Sequence, residues 1–292
     1  MSNYDLFHRD FSLNLGGVRI ASRLFDETRR ELGLSADDVT DVMRVVFSVT
    51  KTTKKEPNKA DITVSNLREE HRILLQERSQ EVVLEAGYIE NTSVIFRGEL
   101  SHGQNVYDGT TWATYLQTAD GEKQLQSSRI NKSLSGNVSA GDALQELASA
   151  LGLKPGNIRE AISRGSVRDV FKGFSNGIVL SGKTEQQLHK LAKSMGLSIS
   201  IQDGQLMMTE PNQFIGDRAI LLKPGTGLIG SPQPGENGYI NIRCNLQPKL
   251  QPLYRVKVES ELVNGFFRIE KAVFKGDTWG NDWYVDLECK PL

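Results

Sequence analysis

The chain has 292 residues, of which 38% are apolar and 24% charged, and its formal net charge is −1. That composition describes a globular chain of two domains or three small ones. It excludes a general electrostatic attraction to nucleic acid or to a membrane surface, and two cysteines, Cys244 and Cys289, are too few for a disulfide scaffold.

The first residues, Met1 to His8, lack a basic segment followed by an apolar one, so no signal peptide is expected. No run approaches the roughly 18 apolar residues of a membrane span. Folding in a cytoplasm is the expectation.

Residues 1–41 carry only a weak helical stripe, Ile20, Leu24, Phe25, Thr28 and Leu32, which Gly33 would end. From Val42 to Thr50 β-branched residues dominate, which predicts a strand. A turn at Glu56-Pro57-Asn58 precedes the alternation of Ala60, Ile62 and Val64 with Asp61, Thr63 and Ser65, the pattern of a half-buried strand. Asn66-Leu67-Arg68-Glu69 predicts a capping box, opening a helix with Leu67, Leu74, Leu75 and the stem of Arg78 on one face. Strands follow at Val82–Ala86, Val94–Leu100 and Trp112–Ala119. A run of strands broken by one helix over 42–130 predicts a small β-barrel or sandwich.

The middle reads as α+β. Ser139 and Asp142 cap a predicted helix carrying Leu144, Leu147, Ala148 and Leu151, which stops at Gly152. The pattern returns with Leu188, Leu191, Ala192 and Met195, where Thr184 and Gln187 supply the expected cap. One recurrence is too little for a solenoid. Leu197, Ile199 and Ile201 then alternate, Asp203-Gly204 marks a hairpin turn, and Leu206 and Met208 form the return arm.

The last part is β again, with strands expected at Tyr239–Arg243, Tyr254–Val258, Phe266–Ala272 and Trp283–Cys289. Asn264-Gly265 reads as the turn joining the middle two, and glycine and proline crowd 224–238. The predicted organisation is therefore a segment 1–41, a β domain 42–130, an α+β module 131–214 and a β domain 215–292. The fold class is α+β, mainly β.

Two motifs invite an enzymatic reading. Gly225-Thr226-Gly227-Leu228-Ile229-Gly230 spells the dinucleotide fingerprint, whose third glycine must open a helix that faces the pyrophosphate. Ser231-Pro232-Gln233-Pro234-Gly235 cannot propagate one. Gly173-Phe174-Ser175-Asn176-Gly177 spells a nucleophile elbow, which needs a strand before the serine and a helix after it. Here Ser166–Phe171 reads as helical and Ile178-Val179-Leu180 as extended, the inverse order.

His8, His71, His102 and His189 have neither i, i+4 partners nor clustered cysteines, so no metal site is expected. Cys244 and Cys289 read as small buried hydrophobes on strands. Lys51–Lys55 with Lys59 is a short basic patch that reads as a solvated turn, open to a polyanion. Catalytic residues, cofactor-binding residues, metal ligands and cofactors are all expected to be none, and a non-enzymatic scaffold is favoured. Against it stand a carboxylate-based cell-wall hydrolase and a glycan-binding module using Trp112, Trp279 and Trp283.

Several ordered stretches resemble one family. Glu56–Leu67, Val83–Tyr88, Ile95–Gly98, Ala119–Lys123 and Arg129–Ser133, then Gly227–Pro232, Asn264–Arg268 and Gly276–Tyr284, are similar to the baseplate hub proteins of contractile-tailed phages. The resemblance covers roughly 42–292 and does not extend to the first 40 residues. It implies a homotrimer in which each chain carries two tail-tube-like β domains, so that three chains offer six and adapt a threefold central spike to a sixfold tail tube. It further implies contacts with the tube or tube-initiator protein, the spike and the tape measure protein, DNA only in transit through the lumen, and no membrane insertion. The location implied is the virion tail baseplate, with assembly in the host cytoplasm. The chain has no length to spare for a fused lysozyme or spike.

Overall fold

The computed structural model describes residues 9–22, 43–54, 56–75, 80–89, 91–120, 127–163, 174–210 and 213–292. They fall into two compact units, one drawn from 1–52, 58–120 and 216–292, the other from 53–57 and 121–215. In chain order the elements begin with strands β1 (Arg9–Leu15), β2 (Val18–Ala21), β3 (Val45–Thr52) and β4 (Lys59–Ser65), helix α1 (Glu69–Leu74), then β5 (Glu81–Tyr88), β6 (Ser93–Tyr107) and β7 (Trp112–Ala119). The middle supplies β8 (Arg129–Leu134), α2 (Ala140–Ala150), α3 (Ile158–Ser163), β9 (Ile178–Lys183), α4 (Thr184–Ser194), β10 (Ser198–Gln202) and β11 (Gln205–Thr209). The last part gives β12 (Ile215–Leu222), β13 (Leu228–Pro234), β14 (Ile240–Asn245), β15 (Tyr254–Glu259), β16 (Asn264–Asp277) and β17 (Trp283–Pro291).

Among the described residues the first unit is one antiparallel sheet, ordered β13-β14-β17-β16-β3-β4-β7-β6-β5-β1-β2, with β15 pairing both β16 and β12. The sheet contains the same arrangement twice: β3-β4-β7-β6-β5 and β13-β14-β17-β16-β15 have identical strand order. The registers agree as well. Ile62 faces Leu116 where Ile242 faces Leu287, and Val64 faces Thr114 where Cys244 faces Val285. Each long strand carries one extra residue at the same place: Ser101 between Leu100 and His102, Glu270 between Ile269 and Lys271. A bulge at a matched position bends both long strands alike. The core follows from the period of two: Ala60, Ile62 and Val64, like Ile240, Ile242 and Cys244, are buried while their neighbours face outward. Each valine or isoleucine among them contributes about 1.5–3 kcal/mol by leaving water.

In the second unit Ser139 and Asp142 close the predicted capping box on α2, with Ser139 Oγ accepting from Asp142 N at 3.0 Å. Leu144, Leu147, Leu188 and Leu191 pack α2 and α4 with the β8-β9 strand pair and the β10-β11 hairpin. The turn between β10 and β11 uses left-handed Asp203 (φ 52°) and Gly204 (φ 73°), the type I′ geometry that its Asp-Gly pair predicts.

Several local expectations are corrected. The stripe beginning at Ile20 is not helical there, since Ile20 lies on β2; Leu24, Phe25, Thr28 and Leu32 fall outside the described residues. The β1-β2 hairpin was not expected. Asn66 does not cap α1: it sits at φ 57°, its side chain accepts from Trp112 N, and Arg68 holds the cap position without a side-chain bond. Thr184 is the first helical residue of α4 rather than its cap, and Gln187 donates back to Ser181 O. Asn264-Gly265 lies inside β16, paired with β15, and the turn is 260–263. Ser260 decides it, because its hydroxyl accepts from Val263 N and donates to Val263 O.

Candidate functional site

None of the sequence's enzymatic decoys acquires its context. Gly225 (φ 88°) and Gly227 (φ 103°) precede strand β13 and Gly230 (φ 67°) lies within it, so no helix opens at the third glycine. Ser175 is followed by β9, and Gly173 and residues 166–171 lie outside the described residues. Among the described residues no group of three His, Cys, Asp or Glu could hold a metal ion. Cys244 and Cys289 are buried free thiols on neighbouring strands, and desolvation pushes both above the usual thiol range, which disfavours the thiolate. Lys51 is not part of a solvated patch: it is fully buried, with Nζ donating to Gln251 at 2.9 Å. Lys55 lies outside the described residues. The three tryptophans differ in exposure, with Trp279 the most exposed at 67%. Trp283 is buried and donates Nε1 to Gly87 O, and Arg72 covers the face of Trp112 at 3.9 Å.

What the structure does build is a junction between the two β repeats. The far half of β16, Lys271–Asp277, pairs with β3 along Thr52–Val46. Phe47 is the wedge. Its ring meets Trp283 edge-on at 5.5 Å and lies where any side chain on Gly276 would have to go. Around it, Arg44 makes a two-pronged contact with Asp277 (2.7 and 3.2 Å), and the Thr278 hydroxyl accepts from Val45 N. The Arg44 hydrogen bond holds the Asp277 carboxyl below its ordinary range. Arg9 adds a strap from β1, donating to the carbonyls of Asp277, Gly280 and Asn281 beneath Trp283.

The two hairpin tips are built alike. Asp108 Oδ1 accepts from the amides of Thr110 and Thr111 four residues before Trp112, and Asp277 Oδ1 accepts from Trp279 N six residues before Trp283. Hydrogen bonds from Thr111 and Thr110 keep the Asp108 carboxyl far below its usual range. This doubled Asp-to-Trp turn is the sequence signal that could have revealed the duplication.

The face of the sheet opposite the apolar core has no covering layer among the described residues. On β13, β14, β16 and β17 it forms an open concavity of about 530 Å³, lined in part by Gln233, Asn241, Arg243, Lys271, Asp286 and Glu288. The charged lining residues are two cations, Arg243 and Lys271, and two carboxylates, Asp286 and Glu288; Arg243 bonds both Asp286 oxygens at 2.7 and 3.2 Å, and Lys275 stands 3.6 Å from the same carboxylate.

A sequence profile of the family described as Baseplate hub gp41 matches residues 31–289. The chain belongs to the baseplate hub gp41 family. Baseplate hub membership makes it a structural component of a phage tail. Solved structures share the hub chain's fold at low identity. The 43 kDa tail protein of prophage MuSo2 from Shewanella oneidensis aligns with a TM-score of 0.62 and 11% identity over 97% of this chain and 98% of that one. A tail protein from Neisseria meningitidis MC58 gives 0.61 and 11% over 98% and 97%. The E. coli c3393 protein, a type VI secretion component described as similar to T4 tail proteins gp27 and gp5, gives 0.53 and 10% over 85% and 73%. A comparison with curated protein sequences finds no match. No described helix of the hub chain is long and apolar enough to cross a membrane.

Proposed function

We propose that this hub protein acts as a trimer whose six β repeats form one ring of pseudo-sixfold symmetry, joining the tail tube to the central spike, with DNA passing through the lumen. The observation that carries the reading is the duplicated strand order, β3-β4-β7-β6-β5 and β13-β14-β17-β16-β15. Two equivalent modules per chain turn threefold symmetry into six near-identical seats for a sixfold neighbour. The α1 and core side of the sheet faces outward and the uncovered side faces the axis. On that side Arg243 and Lys271 stand with Asp286 and Glu288, two cations with two carboxylates, a near-balance that disfavours holding phosphate. No catalytic role is assigned. The copy number in purified tails tests the reading: three hub chains for every six tube subunits in a ring support it, and six hub chains contradict it.

A further inference from the structure

The chain contains three Asn-Gly pairs, Asn176-Gly177, Asn237-Gly238 and Asn264-Gly265. A glycine has no side chain to shield its amide nitrogen, so in such a pair that nitrogen is within reach of the asparagine side chain once the backbone turns. The fold treats the three pairs differently. Asn264 and Gly265 lie in the β15–β16 ladder opposite Glu259 and Val258, and Asn264 Nδ2 donates to Ser260 O at 2.9 Å. Gly177 is hemmed in by backbone: its amide donates to Phe174 O at 3.0 Å, and a side chain there would run into the oxygen of Leu134. Asn237 and Gly238 are both exposed, and no non-neighbouring atom lies within 4 Å of the place where a Gly238 side chain would begin. We propose that Asn237 is a site of spontaneous deamidation, while the fold protects Asn176 and Asn264.

The turn that carries Asn237 is built to open. It is a single short 3-10 turn, Glu236–Gly238, between β13 and β14, and none of its residues is buried. Asn237 sits inside it at φ 55° and ψ 31°, a left-handed conformation that a residue with a Cβ holds only at a cost. At that ψ the Gly238 nitrogen lies across the Cα–C bond from the Asn237 side chain, so the bond must rotate before the two groups meet. Tyr239 N donating to Glu236 O (3.1 Å) and Gly235 N donating to Tyr239 O (2.8 Å) oppose the rotation. Both bonds belong to a turn with no apolar anchor, and such segments open far more readily than a paired ladder.

The chemistry needs only water. The Gly238 nitrogen gives its proton to a base in the solvent and attacks Cγ of Asn237. The N–Cγ bond forms, the Cγ–Nδ2 bond breaks, and Nδ2 takes up a proton and leaves as ammonia. Water then opens the five-membered imide, at Cγ to give aspartate or at the main-chain carbonyl to give isoaspartate. Either product sets a new carboxylate beside Glu236. Isoaspartate also adds a methylene to the main chain inside the loop that the Gly235–Tyr239 bond closes, so the end of the β13–β14 hairpin changes shape.

Peptide mapping by mass spectrometry tests the site. The full chain is aged at mildly alkaline pH, once folded and once in guanidinium chloride, and each Asn-Gly peptide is followed for the mass gain of amide-to-carboxyl exchange. In the folded chain Asn237 should convert about tenfold or more faster than Asn176 and Asn264, because local opening sets the rate, and in denaturant the three rates should converge. Conversion of Asn176 or Asn264 as fast as Asn237 in the folded chain overturns the proposal. So does a folded chain in which Asn237 stays intact over the time that converts it in denaturant. Asn237→Gln, whose longer side chain closes its ring far more slowly, should remove the main acidic species that ageing produces on ion exchange; persistence of that species in the variant also overturns it.

Discussion

Asp277 organises the tip that locks the two repeats together. Its carboxylate accepts from Arg44 and from the amide of Trp279, and these contacts favour the ionised form. The folded value lies below the unfolded value of about 4, so the stabilisation is complete above that pH and is lost as pH falls through the lowered one. Chemical unfolding of wild type and Asp277→Asn should therefore differ most at neutral pH and converge below about pH 4. A gap that widens on acidification would show that the contact stabilises through something other than this ionisation. Arg44 is half-exposed, so solvent screening keeps the contribution of the ion pair itself small.

At the scale of elements, the β3–β16 ladder hangs on one aromatic wedge. Phe47→Ala removes the ring that fills the space over Gly276 and buries Trp283, leaving a cavity in the junction. The expected cost is about 3–5 kcal/mol in urea unfolding, with a red shift in tryptophan emission as Trp283 meets water. A loss below about 1 kcal/mol would mean the repeats are held by the backbone ladder alone. The sequence made several of these elements legible. Trp112–Ala119 and the Ser139–Asp142 cap were readable because alternation and capping act over a few residues. What escaped it was non-local. Residues 101–107 of β6 are polar and bulged, and they are extended because β7 pairs them, not because of their own propensity. β13 was hidden by its glycines and prolines, which tolerate an edge and disguise a strand. Asn66 followed the cap pattern, yet Trp112, 46 residues away, claimed its side chain. That the two glycine motifs lack their flanking elements was readable early. The matched strand order of the two repeats was not, because it shows only once they are compared as folded objects.

At the scale of the molecule, the proposed lumen would have to let a polyanion slide past without binding it. Asp286 is the residue on which that depends, since it occupies both Arg243 and Lys275. Asp286→Asn should release two cations on the uncovered face and produce retention of short duplex DNA at low salt, with a salt slope steeper than wild type by about 0.9 for each phosphate newly engaged. Strong retention by the wild-type protein would contradict a lumen built for transit.

The central claim is that one chain supplies two interchangeable β modules to a sixfold neighbour. Imaging the assembled tail tip by electron cryomicroscopy, with no symmetry beyond threefold imposed, tests it most directly. The account predicts a ring of six β lobes that superpose strand for strand, alternating between repeats 45–119 and 228–291 around three chains. A ring of six chains, or three chains with only one of these repeats facing the tube, would contradict it.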